Sequence, residues 1–197
     1  MSELKVNKIS PATGTAFTLG DSGDTFTVPS GATIVNSGTA TGFGGSGKLK
    51  QCVQTLYTTQ TSSTAAIDQR LTSIPQNTDG VEIMTATLTP TATDSTLLVQ
   101  AFVKVGPGSD GYRSSIMLYQ DSTANALDFC SEMFQSGGDM GWLGLQYKKT
   151  SGSTSATTFK VRLASHTGQT VWHNRGSSQA TAGGICTSSL VVWEIGA

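Results

Sequence analysis

From residue 48 onward, apolar and polar positions alternate with a period of two. Met84, Ala86 and Leu88 share one side of a segment that ends at Pro90, and Leu97, Val99, Ala101, Val103 and Val105 share one side of another that ends at Gly106-Pro-Gly. Ile116 and Leu118 interleave with Met117 and Tyr119 before Asp121. Comparable patterns cover 126–134, 142–148, 159–163, 170–173 and 185–195. Successive strand side chains point to opposite faces, so this period predicts half-buried β-strands bounded by Gly, Pro, Asp and Ser turns. Eight to ten strands at roughly ten-residue spacing predict an all-β, two-sheet jelly-roll sandwich over residues 48–197. Residues 64–71 carry the only weak helical pattern, too short and polar to stand as a helix. Trp193, inside the apolar run 190–195, is expected in the core.

Residues 1–47 differ. Single apolar residues sit between Ser/Thr/Gly clusters, and a short unit recurs as Ser22-Gly-Asp-Thr-Phe26, Ser30-Gly-Ala-Thr-Ile34 and Ser37-Gly-Thr-Ala-Thr41. Each Ser-Gly turn precedes a few strand-forming residues, the pattern of a turn-plus-strand repeat. One copy of so short a segment cannot bury Leu19, Phe26, Val28 and Ile34, so a stalk built of these repeats needs other chains to stack on. A disordered Gly/Ser/Thr leader is the other reading. Gly42-Phe-Gly-Gly-Ser-Gly47 reads as a hinge between 1–47 and 48–197.

Composition narrows the classes of function. The 197 residues include 12 Lys+Arg and 13 Asp+Glu, for a net charge of -1 with only 13% charged residues. A chain this poor in cations lacks the footprint that phosphate neutralisation requires, so no nucleic-acid partner is expected. No apolar run approaches the roughly 20 residues of a membrane helix, and Met-Ser-Glu-Leu-Lys lacks an export signal's design, so no membrane insertion is expected. Cys52, Cys130 and Cys186 are odd in number and far apart, which favours free, buried thiols over a disulfide framework.

Several motifs imitate chemistry without completing it. Gly42-Phe-Gly-Gly-Ser-Gly-Lys48-Leu49 approaches a phosphate-binding loop, but Leu49 stands where a magnesium-holding hydroxyl belongs and no helix follows. Gly20-Asp-Ser-Gly-Asp24 resembles a serine-protease segment, yet the same Ser-Gly turn recurs twice with no His in support. His166 and His173 have no ligand set at zinc spacing, although loop aspartates could still converge on a calcium ion. Glu82, Glu132 and Glu194 are isolated, so no carboxylate pair is expected. The reading is a non-enzyme without cofactors. What remains is loop chemistry: 106–113, 135–142 and 171–175 combine glycines with an aromatic, an Arg or an amide, a mixture suited to stacking on sugars and bonding their hydroxyls. Tyr112, Arg113, Trp142, Trp172, His173 and Arg175 are the expected ligand contacts.

Leu4-Lys-Val-Asn-Lys-Ile-Ser-Pro11, Thr18-Leu-Gly-Asp-Ser-Gly-Asp-Thr-Phe26 and Val28-Pro-Ser-Gly-Ala-Thr-Ile-Val-Asn-Ser-Gly38 resemble the N-terminal segment of tail fibres and other virion appendage proteins of tailed phages, marine and cyanobacterial ones in particular. Lys48-Leu-Lys-Gln-Cys-Val-Gln-Thr55, Leu88-Thr-Pro-Thr-Ala-Thr-Asp-Ser-Thr-Leu-Leu-Val99 and Ser188-Ser-Leu-Val-Val-Trp-Glu-Ile195 are similar to strands of their head domain. The resemblance implies a slender trimeric stalk and a trimeric jelly-roll head similar to those of complement C1q and tumour necrosis factor. It further implies a homotrimeric virion protein, assembled in the host cytoplasm, whose N-terminal part joins tail or baseplate proteins and whose head binds host surface polysaccharide. A capsid decoration or cement protein without a receptor role is the alternative.

Overall fold

The computed structural model describes residues 9–11, 13–16, 18, 20–33, 35, 48–67, 72–176 and 186–196. The chain divides into two compact units, Met1–Phe43 and Gly44–Ala197. In the first, the Ser-Gly pairs make turns: Asp24 N–H donates to Asp21 O at 3.1 Å, and Ala32 N–H donates to Pro29 O at 3.1 Å. Gly23 (φ 96°) and Gly31 (φ 85°) occupy the left-handed region that a Cβ disfavours, which explains why Gly recurs there. The described residues of this unit form no β-ladder within the single chain. Phe26, Val28 and Val35 are exposed, while Leu19, Ile34 and the third turn lie outside the described residues.

The second unit is all-β and its described residues contain no helix. Its strands are β1 (Leu49–Tyr57), β2 (Thr61–Ser63), β3 (Val81–Leu88), β4 (Thr96–Pro107), β5 (Tyr112–Gln120), β6 (Asp128–Phe134), β7 (Gly141–Thr150), β8 (Thr157–Ser165), β9 (Val171–His173) and β10 (Ser188–Ile195). One antiparallel sheet runs β1-β10-β4-β9-β2, with β7 on the other edge of β4; the second runs β3-β8-β5-β6. On a single edge of β4, β10 pairs with residues 96–102 and β9 with Val105–Pro107. Thus β9 continues the line of β10, as β2 continues that of β1. The eight long strands then read 1-10-4-7 against 3-8-5-6, the order of a jelly roll.

The inward residues are those marked by the alternation. Met84, Ala86, Leu88, Leu97, Val99, Ala101, Val103, Val105, Ile116, Leu118, Phe159, Val161, Leu163, Leu190 and Val192 share one core. Two expectations change. Met117 and Tyr119 point away from that core yet are also buried, in a second cluster with Ile67 and Ala164. Between β2 and β3, residues 64–67 and 72–80 strap the outside of the second sheet, with Ile67 N–H donating to Ser165 O at 2.9 Å and Ala126 N–H donating to Pro75 O at 2.8 Å. Trp193 is not in the core. It lies half-buried on the outer face of the first sheet, its Nε1 donating to Gln100 Oε1 at 3.2 Å, because Leu190 and Val192 take the inward positions of β10.

Polar groups close one end of the β9/β10 row and the break within it. Fully buried Glu194 accepts from Gln51 Nε2 at 2.6 Å and from Thr91 N and Oγ1 at 2.8 Å each, anchoring the β3–β4 turn. At the break between β9 and β10, Lys104 has no strand partner on that edge of β4. Its C=O takes the N–H of Asn174 at 2.9 Å, and its N–H reaches Ser188 Oγ, also at 2.9 Å. Asn174 Nδ2 donates to Tyr57 O (2.9 Å) and Thr59 O (3.1 Å), while its Oδ1 accepts from Ser188 Oγ (2.7 Å). Asn174 is buried at φ 59°, a left-handed conformation that Asn tolerates better than most residues.

Asn174→Ala removes three side-chain bonds, takes a donor from the Tyr57 and Thr59 carbonyls and places a Cβ-bearing residue without local polar support in the left-handed region. Urea unfolding should show a loss of about 3 kcal/mol, and Asn174→Gly should lose less because it relieves the backbone cost.

Candidate functional site

The three loops expected to carry ligand chemistry meet at one end of the sandwich. Gly108 N–H donates to Thr170 O at 2.6 Å and Gly111 N–H to Phe134 O at 3.0 Å. Gly137 N–H donates to Asp110 Oδ1 at 2.5 Å. Glycine is required here by proximity. A Cβ on Gly106 would stand 2.6 Å from Arg175 O and 2.9 Å from Asp139 O, and one on Gly176 would stand 3.0 Å from Gly138 O. The glycines read as loop punctuation in the sequence are the contacts that let 106–111, 135–140 and 174–176 pack backbone against backbone.

The six expected contact residues fall into separate places. Tyr112 and Arg113 open β5, half-buried, and Arg113 lies on the outer side of the second sheet with Met133 opposite. Trp172 is half-buried on the outer face of the first sheet, opposite Gly106, with the Arg175 guanidinium 4.2 Å from its ring centroid. Trp142 is on the same face, 64% exposed, with Lys104 Nζ 4.7 Å from its ring. His173 requires a correction: only 1% exposed, it takes an inward position on β9 and cannot touch a surface ligand directly. Its Nδ1 is 3.5 Å from Thr61 Oγ1, and its Nε2 is buried without a hydrogen-bond partner. Burial pushes its pKa down from 6.5 to about 4, so the ring is neutral at pH 7.

Sequence reading missed the character of the outer face of the first sheet. Leu56, Ser189, Phe102 and Gly144 lie in one row across β1, β10, β4 and β7, with Trp142 beside Lys104 one step further along β4. Leu56 is 61% and Phe102 49% exposed, and the bare backbone of Gly144 leaves the space beside Phe102 open. The signal was present: the outward positions 98, 100, 102 and 104 of β4 read Leu, Gln, Phe, Lys, too apolar for a solvated face.

All three cysteines are free. Cys186 is buried, with Sγ 3.8 Å from Met140 Sδ, but Cys52 is exposed on the edge strand β1, contrary to the expectation of a buried thiol. Among the described residues no cluster of three or more His, Cys, Asp or Glu has the arrangement of a metal site.

No family model matches the chain, and no curated protein matches it. Among solved structures, similarity extends to the C-terminal domain of EclA, a sugar-binding protein, at 14% identity and TM-score 0.34, over 59% of this chain and 74% of that one. It extends also to infectious bursal virus T=1 particles, at 15% identity and TM-score 0.39, over 76% of this chain and 37% of that one. Tailspike protein 4 of bacteriophage CBA120 is similar at 16% identity and TM-score 0.25, over 66% of this chain and 19% of that one. The chain thus spans well under half the length of the viral proteins it matches.

The folded pKa of His173 lies below its unfolded value, so the unfolded chain binds the proton more readily between pH 6.5 and 4. Stability is fully present above pH 6.5 and falls as the pH drops toward 4, by on the order of 3 kcal/mol. Thermal melting across this window should show that decline, and His173→Asn should flatten it.

Proposed function

We propose that the chain is a non-enzymatic virion fibre protein, a homotrimer that binds a host surface glycan through the loop end of its jelly-roll unit. The apolar row on the outer face of the first sheet carries this reading. Leu56, Phe102 and Trp142 expose large apolar surface on a unit whose own core is already closed. Such a patch marks an association surface. The first unit repeats the pattern independently, with Phe26, Val28 and Val35 exposed and no ladder of its own among the described residues. Copies of the same chain are the occupant that satisfies both units at once, and closed symmetry hides both sets without leaving an open end. Three copies, and attachment of the N-terminal part to tail or baseplate proteins, follow from the tail-fibre resemblance.

Trp142, first read as a ligand contact, is assigned here to the association face. Tyr112, Arg113 and the Arg175–Trp172 stack remain at the loop end as the glycan contacts, with the glycine-packed backbones holding them in place. A sugar offers an apolar ring face and hydroxyls, which match an aromatic or guanidinium plane flanked by polar loop groups. Single contacts of this kind are weak, and presentation in three copies raises their combined strength.

Purified protein should adsorb to encapsulated bacteria of the host and not to isogenic strains lacking surface polysaccharide; equal adsorption to both would overturn the glycan reading. Phe102→Asp should cut adsorption about tenfold while leaving the far-UV circular dichroism of the sandwich unchanged, because it acts through lost multivalency. Labelled protein should map to the tail of the particle, and labelling confined to the capsid shell would favour the decoration reading instead.

A further inference from the structure

A second candidate site lies away from the loop end, on the outside of the second sheet. Where the strap of residues 72–80 leaves the sheet beside the β5–β6 turn, a partly open pocket of about 280 Å³ is lined by Asn77, Tyr119, Asp121, Ser122, Lys160 and Arg162. We propose that it binds one carboxylate-bearing sugar residue. This goes beyond the glycan contact assigned to the loop end and shares no residue with it.

The pocket is built before any ligand arrives. Arg162 Nε donates to Asp79 O at 2.7 Å and its Nη2 to Gly80 O at 2.6 Å, which fixes the guanidinium plane on the strap backbone. A guanidinium carries five N–H donors in a rigid fork suited to a carboxylate, and these two bonds leave three. None of the ion pairs among the described residues engages Arg162. Lys160 is its neighbour two residues along β8, on the same face, with Nζ 3.7 Å from Glu82 Oε2. Asp121 supplies the opposing charge, but its two oxygens already accept from Thr158 N (2.8 Å) and Gln120 Nε2 (3.1 Å). Asp121 and Glu82 balance the two cations, so selection of a carboxylate rests on the three unused N–H donors of the fixed Arg162 guanidinium and on release of Lys160 from Glu82, not on net positive charge.

The remaining lining suits the rest of a sugar. Tyr119 forms a wall, its hydroxyl donating to Gln76 O at 2.6 Å. Burial, reinforced by Asp79, pushes that phenol up to about 12, so it adds no further negative charge. Asn77 and Ser122 bring an amide and a hydroxyl, and Asn77 Nδ2 donates to Ser122 O at 3.2 Å, tying strap to turn. The volume lies just under the roughly 300 to 1,000 Å³ of ordinary ligand pockets, room for one ring rather than a chain.

Saturation-transfer NMR on the full chain tests this with sodium glucuronate, glucose and sodium sulfate as probes. Glucuronate should show saturable transfer, and glucose and sulfate should not compete with it at equal concentration. Lys160→Gln should weaken glucuronate about fivefold, and Glu82→Gln, which releases Lys160 from its ion pair, should strengthen it. Arg175→Ala at the loop end should leave it unchanged, so failure here and failure of the loop-end reading are separable. Equal response to glucose, displacement by sulfate, or glucuronate binding indifferent to both Lys160→Gln and Glu82→Gln would overturn the proposal.

Discussion

The row of strands beside β4 is broken between His173 and Ser188, and the architecture depends on how that break is closed. A gap in the middle of a sheet exposes backbone donors and acceptors, and leaving them buried and unpaired costs about 1 to 3 kcal/mol each. Asn174 and Ser188 take over those bonds, joining β1, β4, β9 and β10 through side-chain groups. With the break sealed, the chain leaves the sheet after β9 without loosening it. Residues 174–176 can then press against 106 and 138–139 at glycine distances, with Arg175 over Trp172. The arrangement of the loop end is therefore a consequence of a core polar network.

Much of the scaffold could be read from the sequence because burial on one face imposes a period of two. The inward sets of β3, β4 and β8 are the residues the alternation marked. The reading failed where a second layer intervened. Met117 and Tyr119 are buried because residues 64–67 and 72–80 cover them, and nothing local in β5 announces that cover. Trp193 was misjudged for the opposite reason: a continuous apolar run does not say which alternate residues face inward, and here the smaller Leu190 and Val192 do. His173 looked like a loop residue because it sits among polar neighbours, yet β9 is a strand of three residues and His173 is on its inward side. The pocket around Arg162 was invisible, since its lining residues come from three separated stretches that only the strap and the β5–β6 turn bring together.

The account of function rests on surface that folding of one chain leaves unused. Charged residues are scarce, so the exposed surface is mostly Ser, Thr, Gly and Gln, and against that background an exposed Phe102 and Trp142 stand out. In the proposed assembly, association through that face leaves the Arg162 pocket on the second sheet uncovered, so self-assembly and ligand contact there do not compete for the same residues. A neutral, hydroxyl-rich exterior also matches a hydrated sugar surface, where strong net charge would select partners by long-range field rather than by fit.

Sedimentation equilibrium of the full chain at micromolar concentration tests the central claim most directly, because the exposed apolar face has no function in this account without partner copies. A mass three times the 20.4 kDa of one chain is predicted. A species of 20.4 kDa that persists as the concentration is raised would contradict it.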